Sequence, residues 1–135
     1  MIQRPQSLYL LFAALCNLAA FWNPIYGRAM ADPATWISYG FAIILTLAML
    51  ISIVSIFLFK DRSLQLKIVK LGTYFQIAGL GFAISILFSM GGFGTYLWRE
   101  SLGVLLIFIS LGFYWLSGKG IKSDQELVKS MDRIR

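Results

Sequence analysis

Few side chains in this 135-residue chain have the types and surroundings that support chemistry. It has no histidine, which removes the usual neutral-pH acid–base group and the commonest metal ligand. Its one cysteine, Cys16, lies in an apolar run; it reads as a small packing residue, and no intramolecular disulfide can form. Asp32 and Glu100 are isolated carboxylates, each with an arginine nearby in sequence, and read as surface ion pairs rather than an acid–base pair. No phosphate-cradling glycine motif precedes a helix. The notable polar groups are two amides, Asn17 and Gln76, set inside stretches without charge. An amide in hydrocarbon needs a partner. It can face a polar substrate, or it can bond a neighbouring helix for about 0.6–2 kcal/mol. The helix–helix bond is the simpler reading. No catalytic residue, metal or cofactor is therefore expected.

The elements that must position these amides follow from composition. Of the residues, 59% are hydrophobic and 13% charged; an ordinary soluble domain carries about a quarter charged. Four long segments lack charge, and spans are expected at about 7–26, 36–59, 70–90 and 99–117. In lipid these must be helices, since each backbone group needs a partner within its own segment. Asp61 and Ser63 offer caps for the third helix, whose first turns would lie at the interface. Gly91, Gly92 and Gly94 end it in a turn. Gly81, Ser85 and Ser89 recur every four residues, broadened by Gly79 and Ala83. Such a face lets a second helix approach closely, within the chain or from another protomer, with packing inside the chain preferred.

The net charge of +6 would suggest nucleic acid in a soluble chain. Here its location indicates topology instead. Ten basic residues, among them Arg4, Lys60, Arg62, Lys67, Arg133 and Arg135, fall on one side of the spans; Arg28 and Arg99 fall on the other. Basic loops stay in the cytoplasm, so both termini are expected inside, as an even number of spans requires. Trp22, Tyr26, Trp36, Tyr39, Tyr96 and Trp98 are expected at the outer interface. Tyr9, Phe59, Tyr74, Tyr114 and Trp115 belong near the inner one.

The chain closes on GIKSDQELVKSMDRIR. Gly118 and Gly120 suggest a hinge, and Ser123 with Glu126 matches a capping box. Within a tail of 118–135, a separate amphipathic helix from Asp124 to about Ile134 is predicted, with Leu127, Val128, Met131 and Ile134 within an arc of about 120°. Its stripe could dock on the inner membrane surface, on the loop at 60–70, or on a protein partner. The expected fold is thus all-α: a four-helix transmembrane bundle over 1–117, followed by a short cytoplasmic amphipathic helix.

Three cytoplasmic stretches carry a resemblance. MIQRPQSLYLLFAAL, FLFKDRSLQLKIVKL and the closing segment resemble the small bacterial membrane proteins of the family catalogued as domain of unknown function 4293. Pro5, Gly118 and Gly120 depart from the family's pattern. The resemblance implies a four-span inner-membrane protein of a Gram-negative bacterium, and it implies no activity. The leading expectation is a non-enzymatic structural or accessory subunit, with membrane lipids and a membrane protein or second copy as partners and no nucleic acid. Candidate contacts on the cytoplasmic side are Arg4, Lys60, Arg62 and Lys67, with Asp124, Glu126, Arg133 and Arg135; the same basic residues also set topology and meet lipid headgroups. The alternative is a small transporter or channel for a neutral or lipidic molecule, with Asn17 and Gln76 facing its cavity.

Overall fold

A computed structural model of the chain describes residues 5–31, 35–58, 60–89 and 98–134, and every regular element among them is a helix. These are α1 (Pro5–Trp22), α2 (Pro24–Met30), α3 (Thr35–Phe57), α4 (Arg62–Ser89) and α5 (Trp98–Ile134). Arg4, Asp32, Phe59, Tyr96 and Arg135 lie outside the described residues, as does the turn expected at Gly91–Gly94.

Helices α3, α4 and α5 are each long and apolar enough to cross a membrane, and the bent pair of α1 and α2 makes a fourth if counted as one span. The bend is 59°. Its cause is local. Asn23 is extended, as a residue before proline prefers, and its side chain accepts from the Ile25 amide at 3.0 Å. Pro24 then occupies the first helical position, where its missing N–H is no loss. The helix predicted to run to Tyr26 therefore breaks at Trp22, and α2 leaves at 59° to pack on α3, α4 and α5. At the start of α4, Asp61 is the cap: its carboxylate accepts from the Leu64 amide at 3.1 Å. Ser63 lies inside the helix.

Neighbouring long helices run antiparallel, and their packing falls into two apolar clusters. One gathers Ala20, Ile25, Phe41, Leu45, Leu87 and Ile107. The other gathers Leu10, Ala13, Val69, Tyr114 and Ile121. The surface around them is apolar as well: Phe12, Ile43, Val54, Ile77 and Phe108 are all exposed. A continuous apolar exterior is what a lipid-facing protein presents.

Helix α5 corrects the expected tail. It runs unbroken for 37 residues, with no hinge at Gly118 or Gly120 and no helix start at Ser123. The two glycines lie where neighbours come close. A Cβ at Gly118 would stand 3.7 Å from Val69, and one at Gly120 would stand 3.6 Å from Gln6. Each glycine costs about 1 kcal/mol of helix propensity relative to alanine, but both are flanked by interactions that hold the helix. The Ser117 hydroxyl donates to the Gln6 carbonyl at 3.2 Å, Ile121 is fully buried, and Gln6 Nε2 donates to Asp124 Oδ2 at 2.7 Å. The start of α1 thus splints the segment that was expected to flex.

One aromatic expectation also changes. Tyr114 is fully buried, and its hydroxyl donates to the Ala48 carbonyl, so it is a core residue rather than an interfacial anchor. Tyr26 packs edge-on against Phe21, with centroids 4.9 Å apart. Trp22, Trp36, Tyr39, Trp98, Tyr74 and Trp115 are exposed, as interfacial rings would be.

Gly103 seats α2. A Cβ there would lie 2.6 Å from Ile25 Cγ2 and would strike the Asn23 side chain, whose amide donates to the Arg99 carbonyl at 3.0 Å. Gly103→Ala is expected to lower stability by about 1–2 kcal/mol, because the clash outweighs the gain in helix propensity. Faster hydrogen exchange in 25–30 than elsewhere would confirm that α2 is what loosens.

Candidate functional site

Asn17 on α1 and Gln76 on α4 lie between the two apolar clusters, both fully buried. Asn17 Nδ2 donates to Gln76 Oε1 at 3.0 Å, and Gln76 Nε2 returns a bond to Asn17 Oδ1 at 3.0 Å. The same nitrogen donates to the Ile107 carbonyl on α5 at 3.1 Å. The two amides therefore clamp three helices. Neither leaves its main hydrogen-bonding capacity free for a substrate. The transporter reading needs these amides beside a cavity, so this geometry gives it no support.

Hydroxyls complete the polar wiring. Ser110 donates to the Ala13 carbonyl at 3.1 Å, seven residues before Ser117 makes its bond to Gln6. That spacing is two helical turns, so one edge of α5 is fastened twice to α1. Gln65, nearly fully buried, donates from Nε2 to the Ser55 carbonyl at 2.8 Å and closes the connection between α3 and α4. Neither Gln65 nor Ser117 stands out in the sequence, because each lies near the edge of an apolar run.

The small-residue face divides. Gly79 and Ala83 are buried, with Gly79 placed where a Cβ would meet Ile44 at 3.2 Å. Gly81, Ser85 and Ser89 are exposed, and nothing comes within 4 Å of a Cβ at Gly81. Two residues are about 200° around a helix, so positions 79 and 81 cannot share a face. The preferred packing of Gly81, Ser85 and Ser89 within the chain is thus overturned: they line a shallow outward groove with Trp36 and Phe82. The close helix contact lies at Gly72 instead, where a Cβ would be 2.6 Å from Tyr114 Cε1 and 2.8 Å from Ile51 Cγ2.

At the α2 end, Arg28 Nε stands 3.6 Å from Glu100 Oε1. Glu100 is buried and pairs across helices with Arg28, not with its neighbour Arg99. At the opposite end, the candidates expected in the cytoplasm do not converge on one site. Lys60 and Lys67 are exposed. Arg62 is half-buried, with a buried Nε that lacks a partner. Asp124 is bound to Gln6, while Glu126 and Arg133 are exposed further along α5. Arg4 and Arg135 lie outside the described residues.

Two further arrangements lie at this end; the stripe of the first was expected from the sequence, though not its continuity with the span, and the second was not legible there. The first is the far part of α5, where residues 126–133 are all exposed. Leu127 and Met131 are 60% and 62% exposed, on the side shared with Val128. The second is a groove of about 410 Å³ between α4 and α5, bordered by Lys70, Lys119 and Lys122. Lysines at 70 and 119–122 are far apart in the chain, so only the pairing of α4 with α5 brings them together. Among the described residues, no group of three or more histidine, cysteine or carboxylate side chains could hold a metal ion.

Comparison with known proteins finds one family, described as Domain of unknown function (DUF4293), whose profile matches residues 2–134. No curated protein and no solved structure matches the chain.

Proposed function

We propose that this chain, which belongs to the DUF4293 family, is a four-helix transmembrane bundle of the bacterial inner membrane and serves there as a non-enzymatic structural or accessory subunit. Both termini lie in the cytoplasm in this reading. It is supported by the gathering of the start of α1, the α3–α4 connection and the end of α5 at one end of the packed helices, since these carry eight of the ten basic residues among the described ones.

The observation that carries the function is the uncovered stripe of Leu127, Val128 and Met131 on a helix that continues unbroken from the apolar segment. From Ile121, the last fully buried residue among those described, the helix advances about 20 Å to its end. A helix continuous with a span points away from the membrane plane, so docking its stripe on the membrane surface is disfavoured. Its residues 126–133 are not packed on the 60–70 segment either, since all are exposed. A membrane-associated protein partner remains, reached in the cytoplasm through this apolar stripe and its flanking Glu126, Lys129 and Arg133.

The test is cross-linking in intact membranes followed by purification in mild detergent. Wild type is expected to give recurrent cross-links from Lys129 to one partner. The double change Leu127→Glu/Met131→Glu is expected to reduce them by roughly tenfold or more, as hot-spot removal does. A truncation should fall after Gln125; one after Ser117 would also remove Ile121 and Asp124, which hold α1. Wild-type protein without any recurrent cross-link would overturn the accessory reading.

A further inference from the structure

We infer that the groove between α4 and α5 is a binding site for an anionic phospholipid, with the headgroup phosphate at Lys70, Lys119 and Lys122 and an acyl chain laid along α5 toward Phe108. The groove has two parts. The first, of about 410 Å³, carries the three lysines with Tyr74 and Trp115. The second, of about 390 Å³, is lined by Ile77, Phe108, Leu111 and Gly112. Thr73 and Trp115 line both, so the two form one channel along the same helix pair. From Lys122 to Phe108 the channel follows α5 for about 21 Å, the scale of one leaflet with its headgroup region.

Its chemistry is graded in the sense a phospholipid requires. Three ammonium groups border one end, and no carboxylate lines either part. Lys119 Nζ stands 5.3 Å from the centre of the Trp115 ring, which holds that charge over the groove mouth. The Thr73 hydroxyl is turned to the Val69 carbonyl at 2.9 Å, so the wall below the lysines offers little polarity. Further in, the lining is apolar, and Gly112 keeps it open, with nothing within 4 Å of a Cβ placed there. A basic pocket between spans on the cytoplasmic side is the arrangement that receives an anionic headgroup. A soluble phosphate would use the lysines and leave the apolar part without a role.

The inference rests on the proposed membrane embedding but not on the protein partner. The test is native mass spectrometry of the purified full chain titrated with cardiolipin, phosphatidylglycerol or phosphatidylcholine. Wild type is expected to retain the two anionic lipids over phosphatidylcholine. Lys70→Gln/Lys119→Gln/Lys122→Gln is expected to weaken them by roughly fivefold per lysine, on the order of a hundredfold together. Lys60→Gln/Lys67→Gln/Lys129→Gln removes the same charge outside the groove and should change retention by less than about threefold if the effect is local. Gly112→Leu places a side chain in the apolar part, from a Cβ that meets nothing within 4 Å, and should also lower retention, while inorganic phosphate should not compete. Equal losses in the two triple variants, or full retention by Gly112→Leu, would overturn the site. Absence of every lipid from wild type would overturn the embedding itself.

Discussion

Replacing Asn17 by leucine is expected to destabilise the fold by about 2 kcal/mol, because it leaves the Gln76 carbonyl oxygen and one amide hydrogen buried without partners. The reverse change, Gln76→Leu, should cost about the same or slightly more, since it also frees the Ile107 carbonyl. The informative variant is the double one. With both amides replaced by apolar groups of similar size, no orphaned donor or acceptor remains from the pair, and stability should return to within about 1 kcal/mol of wild type. Unfolding in detergent micelles, followed by helix content, measures all three. Strict additivity, with the double variant as poor as the sum of the singles, would show that the amides act independently and that the clamp is not a unit.

The second large effect is at Gly72. Gly72→Val is expected to cost about 2–3 kcal/mol, as overpacking does in a filled interior. Its Cβ alone would intrude on Tyr114 and Ile51. Tyr114 has little room to yield, because its ring is fully buried and its hydroxyl is tied to the Ala48 carbonyl on α3. Gly81→Ala is the contrast, since its Cβ would meet nothing within 4 Å. It should be neutral or stabilising by up to about 1 kcal/mol through helix propensity. Thermal melts of the two variants should therefore move in opposite directions or by very different amounts. Equal losses would mean that the Gly81 face is covered in the membrane by something other than lipid.

The contrast between these glycines shows how far pattern reading reaches on a lipid-facing helix. Helix α4 has small residues on two sides, at 72, 79 and 83 and at 81, 85 and 89. In a soluble helix, polarity would mark the outward side. Here both sides are apolar or small, so the usual signal of amphipathicity is weak and spacing alone picks out the more regular set. The amides were legible for the opposite reason: a buried polar group is rare enough in an apolar span that its need for a partner is evident before the partner is known.

The tail illustrates competition between local and tertiary terms. Gly118, Gly120 and the Ser123–Glu126 pair are ordinary signals for a break and a new start. Each is worth about 1 kcal/mol. Against them stand the burial of Ile121, the Ser117 bond and the Gln6–Asp124 bond, all made with elements distant in the chain. The N-terminus of α1 supplies both hydrogen bonds and, with Val69 of α4, the burial of Ile121, and nothing near residue 120 announces it. At Asn23-Pro24 the local signal prevailed, because a proline can only begin a helix there and the residue before it is driven out of helical geometry.

The sequence by itself determined the all-helical class, the apolar segments long enough to cross a membrane, the family and the need of two amides for partners. The family is carried by the three resembling stretches; the other properties depend on composition and on charge along the chain, which survive without knowledge of contacts. The tertiary structure alone decided which small residues meet, that the end of the chain is the continuation of α5, and that lysines some 50 residues apart border one groove. In a lipid-facing protein the hydrophobic effect no longer distinguishes inside from outside, so helix–helix fit selects the contact faces, and fit is a property of the packed set rather than of any one segment.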